Sequence, residues 1–249
     1  MKLKSLYKYM PHYEGSFFDN FLLRATERSD LNDPFEFLPP KDFFEGVVEL
    51  ASANSDIEWV KNITYDDFRK SFYLFHGVIS FSETRSNLLM WSHYAQRHTG
   101  VVIEFDLQNE FFQTVKRVRY DNFRPINVDV RELDNLFFIK SDEWIYEKEY
   151  RIVKQKKDHD FYMSKSDMVL HPAKKSAIHS HEGALEMYFF KVPKECVKSV
   201  TFGMDMDIKI KDLIINKIKS DQELAHVKLW NAKLSKEYYL IEFEEIVNI

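Results

Sequence analysis

A single cysteine, Cys196, stands among the 249 residues. An intrachain disulfide and a cysteine-built zinc site are therefore excluded, and the chain suits a reducing compartment. Glycine is almost as scarce, at six positions. Neither GxGxxG nor GxxxxGK[ST] occurs, which removes the Rossmann fingerprint and the P-loop. GxSxG and HExxH are missing as well. A bound nucleotide would have to be held by an aromatic and polar cleft, not by a glycine cradle. No run approaches the ~20 apolar residues of a membrane helix, and the opening MKLKSLYKYMPHYEG has no apolar signal core. The expectation is a cytoplasmic protein with no membrane contact. Neither sign of charge dominates: 35 Lys and Arg face 40 Asp and Glu, for a formal net charge of -5. That balance argues against a general nucleic-acid coat.

What the chain does have is rings. Aromatics make up 16%, with 22 Phe and 13 Tyr, in a composition that is 45% hydrophobic and 30% charged. This is the balance of a globular chain with a thick core and rings to spare for a flat ligand. Apolar spacing predicts strands at 3–10, 20–26, 78–82, 101–105, 115–120, 150–154, 186–192, 197–202, 227–234 and 238–247. Helices are predicted within 41–74, at 87–97 before Gly100, at 133–146 and at 207–219. The apolar run Val101 to Phe105 reads as a central strand. Residues 155–184, polar and rich in Lys, His and Ser, read as a loop or insertion. The alternation is too irregular for a βαβ ladder. The expected fold is α+β, one domain over 1–249, with a mixed or antiparallel sheet core and flanking helices.

Five blocks could carry chemistry. In Trp144-Ile-Tyr-Glu-Lys-Glu-Tyr-Arg-Ile152, Glu147 and Glu149 would share one side of a strand beginning there. One carboxyl could then ionise while its neighbour is shifted upward; the alternative is a solvated strand edge. Ser80 and Ser82 flank Phe81 and share a strand face that could hold a ligand amide or ribose, or simply end a strand. Tyr7-Lys8-Tyr9 places a cation between two rings, fit for a phosphate or a ribose, or for a lysine that snorkels. Asn32-Asp33-Pro34-Phe35-Glu36 is a turn or a ligand-facing loop. Trp91, His93 and Tyr94 occupy a short helix, as core packing or as a wall of a ligand site. His171, His179 and His181 lie in the polar segment with no partner motif, so no metal site is expected.

Taken together, Lys8-Tyr9, Asn32 to Glu36, Ser80 to Glu83, Met90 to Ala95 with Gly100 to Phe105, and Trp144 to Arg151 resemble a bacterial family of unknown function, number 2971. That resemblance implies a setting in anti-phage defence or toxin systems. A looser resemblance is to arginine-type ADP-ribosyltransferases. Their first-strand Arg, S-T-S strand and E-x-E strand start are matched in order by Lys8, Ser80-Phe81-Ser82 and Glu147-Lys148-Glu149. It implies NAD as substrate and an ADP-ribosyltransferase-like cleft. Glu149 would stabilise the oxocarbenium-like state, and Glu147 would orient or deprotonate a protein or nucleic-acid acceptor. Ser80 and Ser82 would shape the cleft, with Lys8, Tyr9, Asn32, Trp91, His93, Tyr94 and Arg151 around the dinucleotide. Lysine in place of arginine departs from the pattern, because an ammonium is a point charge and not a fork.

Two rivals remain beside this reading. A metal-dependent nuclease would use Asp33, Glu36, Glu104 and Asp106 on a divalent ion. A non-catalytic sensor or partner-binding module would use the aromatic blocks for a core and an interface.

Overall fold

The computed structural model describes residues 3–38, 40–54, 62–67, 74–124, 130–164 and 186–247. The fold is α+β. Its centre is an eight-stranded sheet in which only one neighbouring pair is parallel. In chain order the strands are β1 (Ser5–Met10), β2 (Leu22–Ala25), β3 (His76–Ser82), β4 (Val101–Asp106), β5 (Lys116–Arg117), β6 (Arg119–Asp121) and β7 (Ile139–Ser141). They continue with β8 (Glu149–Gln155), β9 (Phe161–Ser164), β10 (Glu186–Lys191), β11 (Val197–Phe202), β12 (Lys228–Leu234) and β13 (Ile241–Glu245). The large sheet runs β13-β12-β11-β4-β1-β3-β8-β5. A second sheet runs β2-β10-β9, and β6 pairs with β7 alone. Helices whose full bounds fall in the described residues include α1 (Phe17–Asn20), α2 (Lys41–Asn54), α3 (Leu88–Tyr94) and α4 (Ile208–Ser220). Among the described residues no helix is long and apolar enough to cross a membrane.

The register sorts the large sheet into two unlike faces, because successive side chains point to opposite sides. Leu6, Ile79, Phe81, Ile103, Phe105 and Ile152 share one face and belong to the main core. That face is covered by Phe17 and Phe18 of α1 and by Ile214, Ile215 and Ile218 of α4. On α4 these three residues are the buried stripe of an amphipathic helix capped by the Asp207 side chain, which accepts from Lys209 N at 2.8 Å. The other face carries Tyr9, Ser80, Ser82, Glu149 and Arg151. There α3 sets Trp91 against Tyr9, ring centroids 5.6 Å apart and edge-on.

Local chemistry fixes α3. The Asn87 side chain accepts from Met90 N at 3.1 Å and caps its start. The helix stops at Tyr94 because Gln96, Arg97 and His98 all take left-handed φ values of 48°, 52° and 67°. That tight return brings the His98 carbonyl against Gly203, where a Cβ would sit only 2.0 Å from the oxygen. Glycine is therefore required at that position.

Three segments depart from their predicted form. Residues 133–146 are not an α-helix: 3-10 turns over Val130–Phe138 and Asp142–Glu147 flank β7, which pairs in parallel with β6. Strand pairing there overrides a helix-like spacing of apolar residues. The strand predicted over 115–120 is broken at Val118, which is buried and donates its N–H to Glu149 O at 2.9 Å. In the polar segment, Lys156–Asp158 is a 3-10 turn and Phe161–Ser164 a strand; 165–184, with His171, His179 and His181, lies outside the described residues. The same is true of 55–61 and 68–73 within the predicted helices of 41–74.

Candidate functional site

Where β3 and β8 meet, five charged side chains converge under the surface: Glu36, Lys140, Glu147, Glu149 and Arg151. None is more than 8% exposed. Arg151 grips Glu149 with two parallel bonds, Nε to Oε1 at 2.7 Å and a terminal nitrogen to Oε2 at 2.8 Å. Its remaining donors reach the Phe137 carbonyl at 2.7 Å and the Glu36 carboxylate. Lys140 Nζ lies 2.6 Å from Glu147, 3.3 Å from Glu149 and 3.6 Å from Glu36. Three carboxylates thus surround two cations. A buried charge is tolerable only with such partners.

The paired glutamates come together by a route that strand alternation does not supply. Glu147 ends a 3-10 turn, Lys148 takes a left-handed φ of 44°, and Glu149 opens β8. The backbone is held across this kink. Ser82 Oγ donates to Glu147 O at 2.6 Å, and Glu149 N donates to the Tyr120 hydroxyl at 2.8 Å.

The two carboxyls are pushed in opposite directions. Burial disfavours ionisation of Glu149, but Arg151 and Lys140 more than offset it, with a hydrogen bond from Ser80, and hold the group well below the usual carboxylate range. For Glu147 burial prevails over Lys140, the charge of Glu149 adds to it, and the pKa is raised. Burial likewise raises Glu36 against Arg151 and Lys140. Burial alone would lower Lys140, yet Glu149, Glu36 and Glu147 together raise it.

The aromatic block roofs this centre. The Tyr94 hydroxyl donates to Glu147 and accepts from Asn32 Nδ2 at 3.3 Å. His93, which is exposed, shares a 3.2 Å hydrogen bond with the Tyr146 hydroxyl. Lys140 Nζ sits 4.7 Å from the Trp144 ring centroid. Asn32 and Tyr94 therefore link exposed surface to the buried Glu147. Trp91 contributes differently: it is fully buried and donates from Nε1 to Arg85 O at 2.7 Å. Tyr9 is buried too and donates to Thr84 O at 2.9 Å.

Lys8 stands apart. It shares the face of Leu6 and Phe81, opposite to that of Ser82 and Glu149, and its ammonium donates to Ser80 O at 2.7 Å. Burial lowers its pKa to about 8. Lys8 thus steadies the strand that carries the serines, while Tyr7 and Tyr9 occupy the serine face.

The four carboxylates of the nuclease alternative do not converge. Glu36 is in the ionic centre, and Asp33 caps its own turn by accepting from Phe35 N at 2.8 Å. Glu104 accepts from Ser199 at 2.7 Å on β4, which β1 and β3 separate from β8, and Asp106 accepts from Gln108 N at 3.0 Å. Among the described residues no group of three or more His, Cys, Asp or Glu could hold a metal ion.

Lys140 and Tyr120 were invisible as site residues in the motif blocks. The one signal for Lys140 is its position as a lone cation after the apolar run Leu136-Phe137-Phe138-Ile139. Nothing in the sequence marks Tyr120.

Comparison with known proteins adds one positive finding. A family model described as a protein of unknown function (DUF2971) matches residues 90–152. That span holds Tyr94, Lys140, Glu147, Glu149 and Arg151, and leaves Glu36 and both serines outside it. No curated protein matches the chain. No solved structure matches it either. The stretch from Met90 to Ile152 is therefore similar to that family, and it carries four of the five charges at the centre.

Proposed function

We propose that the protein is an ADP-ribosyltransferase-like enzyme that consumes NAD. The observation that carries this reading is the line of register Tyr7–Ser82–Glu149 across three neighbouring strands. Segments separated by more than half the chain meet there, so the strands that carry the three matched blocks lie side by side. In such a reaction the bond between ribose C1′ and nicotinamide nitrogen breaks, and its electron pair leaves with nicotinamide. Glu149, held ionised, would stabilise the cationic ribose. Glu147, with its raised pKa, would take the proton of the acceptor as that acceptor bonds to C1′. The rings of Tyr94, Tyr146 and Trp144 offer a flat ligand its stacking surface. Lys8 has no part in holding the dinucleotide, since it faces the other way. The bacterial defence setting rests on the family resemblance.

The test is nicotinamide release from NAD by the purified protein, with and without cell lysate, beside Glu149→Gln. Release in the wild type that disappears in the variant is the expected result. No release under either condition ends this reading.

The second reading is a non-catalytic sensor or binding module, and one observation favours it. Glu149 is only 4% exposed, and both its oxygens already accept from Arg151. A carboxylate engaged in this way serves as the internal tie of a rigid domain. On this reading Glu149→Gln lowers stability and has no turnover to abolish.

A further inference from the structure

A second polar feature lies on the same sheet face, beyond Tyr7. Tyr7, Arg85, Glu104, Lys198, Lys228 and Trp230 line a cavity of about 440 Å³ over β1, β4, β11 and β12. Arg85 is its centrepiece. The guanidinium carbon sits 4.7 Å from the Trp230 ring centroid and 4.1 Å from that of Phe243. Among the described residues no carboxylate pairs with Arg85, whereas Lys198 lies 3.7 Å from Glu104 and Lys228 lies 3.6 Å from Glu245. The backbone that presents it is tied down on both sides: Tyr9 donates to Thr84 O at 2.9 Å and Trp91 donates to Arg85 O at 2.7 Å. Tyr9 and Trp91, both buried, therefore hold the arginine loop.

We infer that this cavity binds a ligand through a pyrophosphate-type anion, received by Arg85 with Lys198 and Lys228. A planar fork packed against two rings has lost rotamer freedom before the ligand arrives, which lowers the cost of binding. Its donors suit paired phosphate oxygens better than a single ammonium would. Lys198 and Lys228 are matched by Glu104 and Glu245, so the positive charge of Arg85 is left over at the cavity in a chain of net charge -5. The indole of Trp230 adds a ring beside the anion site, as a nucleotide base would use. The inference stands on Arg85 and the cavity, and does not require the NAD chemistry proposed above.

Isothermal titration of the full chain with ADP, inorganic pyrophosphate and adenosine tests it. Saturable binding of ADP that weakens at least tenfold in Arg85→Gln, weakens less in Lys228→Gln and falls with added salt is expected; adenosine should not bind. ADP binding tighter than pyrophosphate identifies a nucleotide as the source of the anion, and equal binding identifies a free pyrophosphate; both uphold the anion site. Absence of saturable binding by either anion overturns it, as does binding unchanged in Arg85→Gln. Should Arg85→Gln fail to fold, Lys198→Gln/Lys228→Gln carries the same test, with the same tenfold loss expected.

Discussion

The two faces of the large sheet are built from the same strands and obey opposite rules. On one, Ile103 of β4 and Phe81 of β3 meet α1 and α4 in an apolar core. On the other, one residue along the same strands, Ser80 and Ser82 meet Glu149 and Arg151. The apolar face is held by area removed from water, which is non-directional and tolerant of small rearrangement. The polar face is held by ion pairs whose value depends on every partner being present. A one-residue slip in register would exchange the two. The lesson is that the same pleat can store a robust core on one side and a fragile, specific centre on the other.

The largest effect should come from breaking the polar face. Arg151→Met leaves Glu36 and Glu149 buried against Lys140 alone and should cost ~3–5 kcal/mol, read from urea unfolding. The centre has three carboxylates for two cations, so Glu36→Gln should cost clearly less than Arg151→Met. Equal costs would show that charge balance is not what holds the centre.

On the apolar face, Ile103→Ala should cost ~2–5 kcal/mol through the cavity it leaves. Its cost should be additive with that of Arg151→Met within ~0.5 kcal/mol, since the two lie on opposite sides of the sheet. A larger coupling energy would mean that the faces are not independent. Tyr94→Phe removes one donor to an ionisable group and should cost about 1.5–3 kcal/mol.

The smallest effects are slopes with pH, and their signs follow the direction in which each group is shifted. Glu147 and Glu36 have raised pKa values, so the folded state keeps their protons longer than the unfolded chain does. Their contribution to stability therefore declines as pH rises from ~4.3 through the folded values. Glu149 is lowered, and its contribution is present above ~4.3 and lost as pH falls below it. Glu147→Gln should flatten the decline above pH ~4.3 and leave the acid loss intact. On the apolar face Lys8, lowered to about 8 by burial, loses its proton in the folded state first. Stability should rise between that pH and ~10.4. Lys8→Met should abolish the rise, and a rise that persists would place the titrating group elsewhere.

Much of the sheet was legible because its strands announce themselves. Val101 to Phe105 is apolar at every position but Glu104, and β4 does run centrally between β1 and β11. The amphipathic spacing of α4 made that helix equally plain. Residues 133–146 misled because their apolar spacing suits a helix, and pairing with β6 is a long-range event that local spacing cannot report. The Glu147 and Glu149 pair was legible as a pair. Their convergence was not, since it depends on the left-handed Lys148 and on Lys140 arriving from β7.

By itself the sequence determined the class of the protein: one cysteine, six glycines and abundant rings dictate a fold without disulfide or glycine cradle. Its residue order also dictated which side chains alternate across each strand, because that period is local. Only the tertiary structure decided that Lys8 turns from the serines and that Lys140 enters the centre. It alone decided that Arg85 packs against Trp230 and Phe243. Those outcomes rest on which strands become neighbours, and strand neighbours are chosen by the packing of the whole chain.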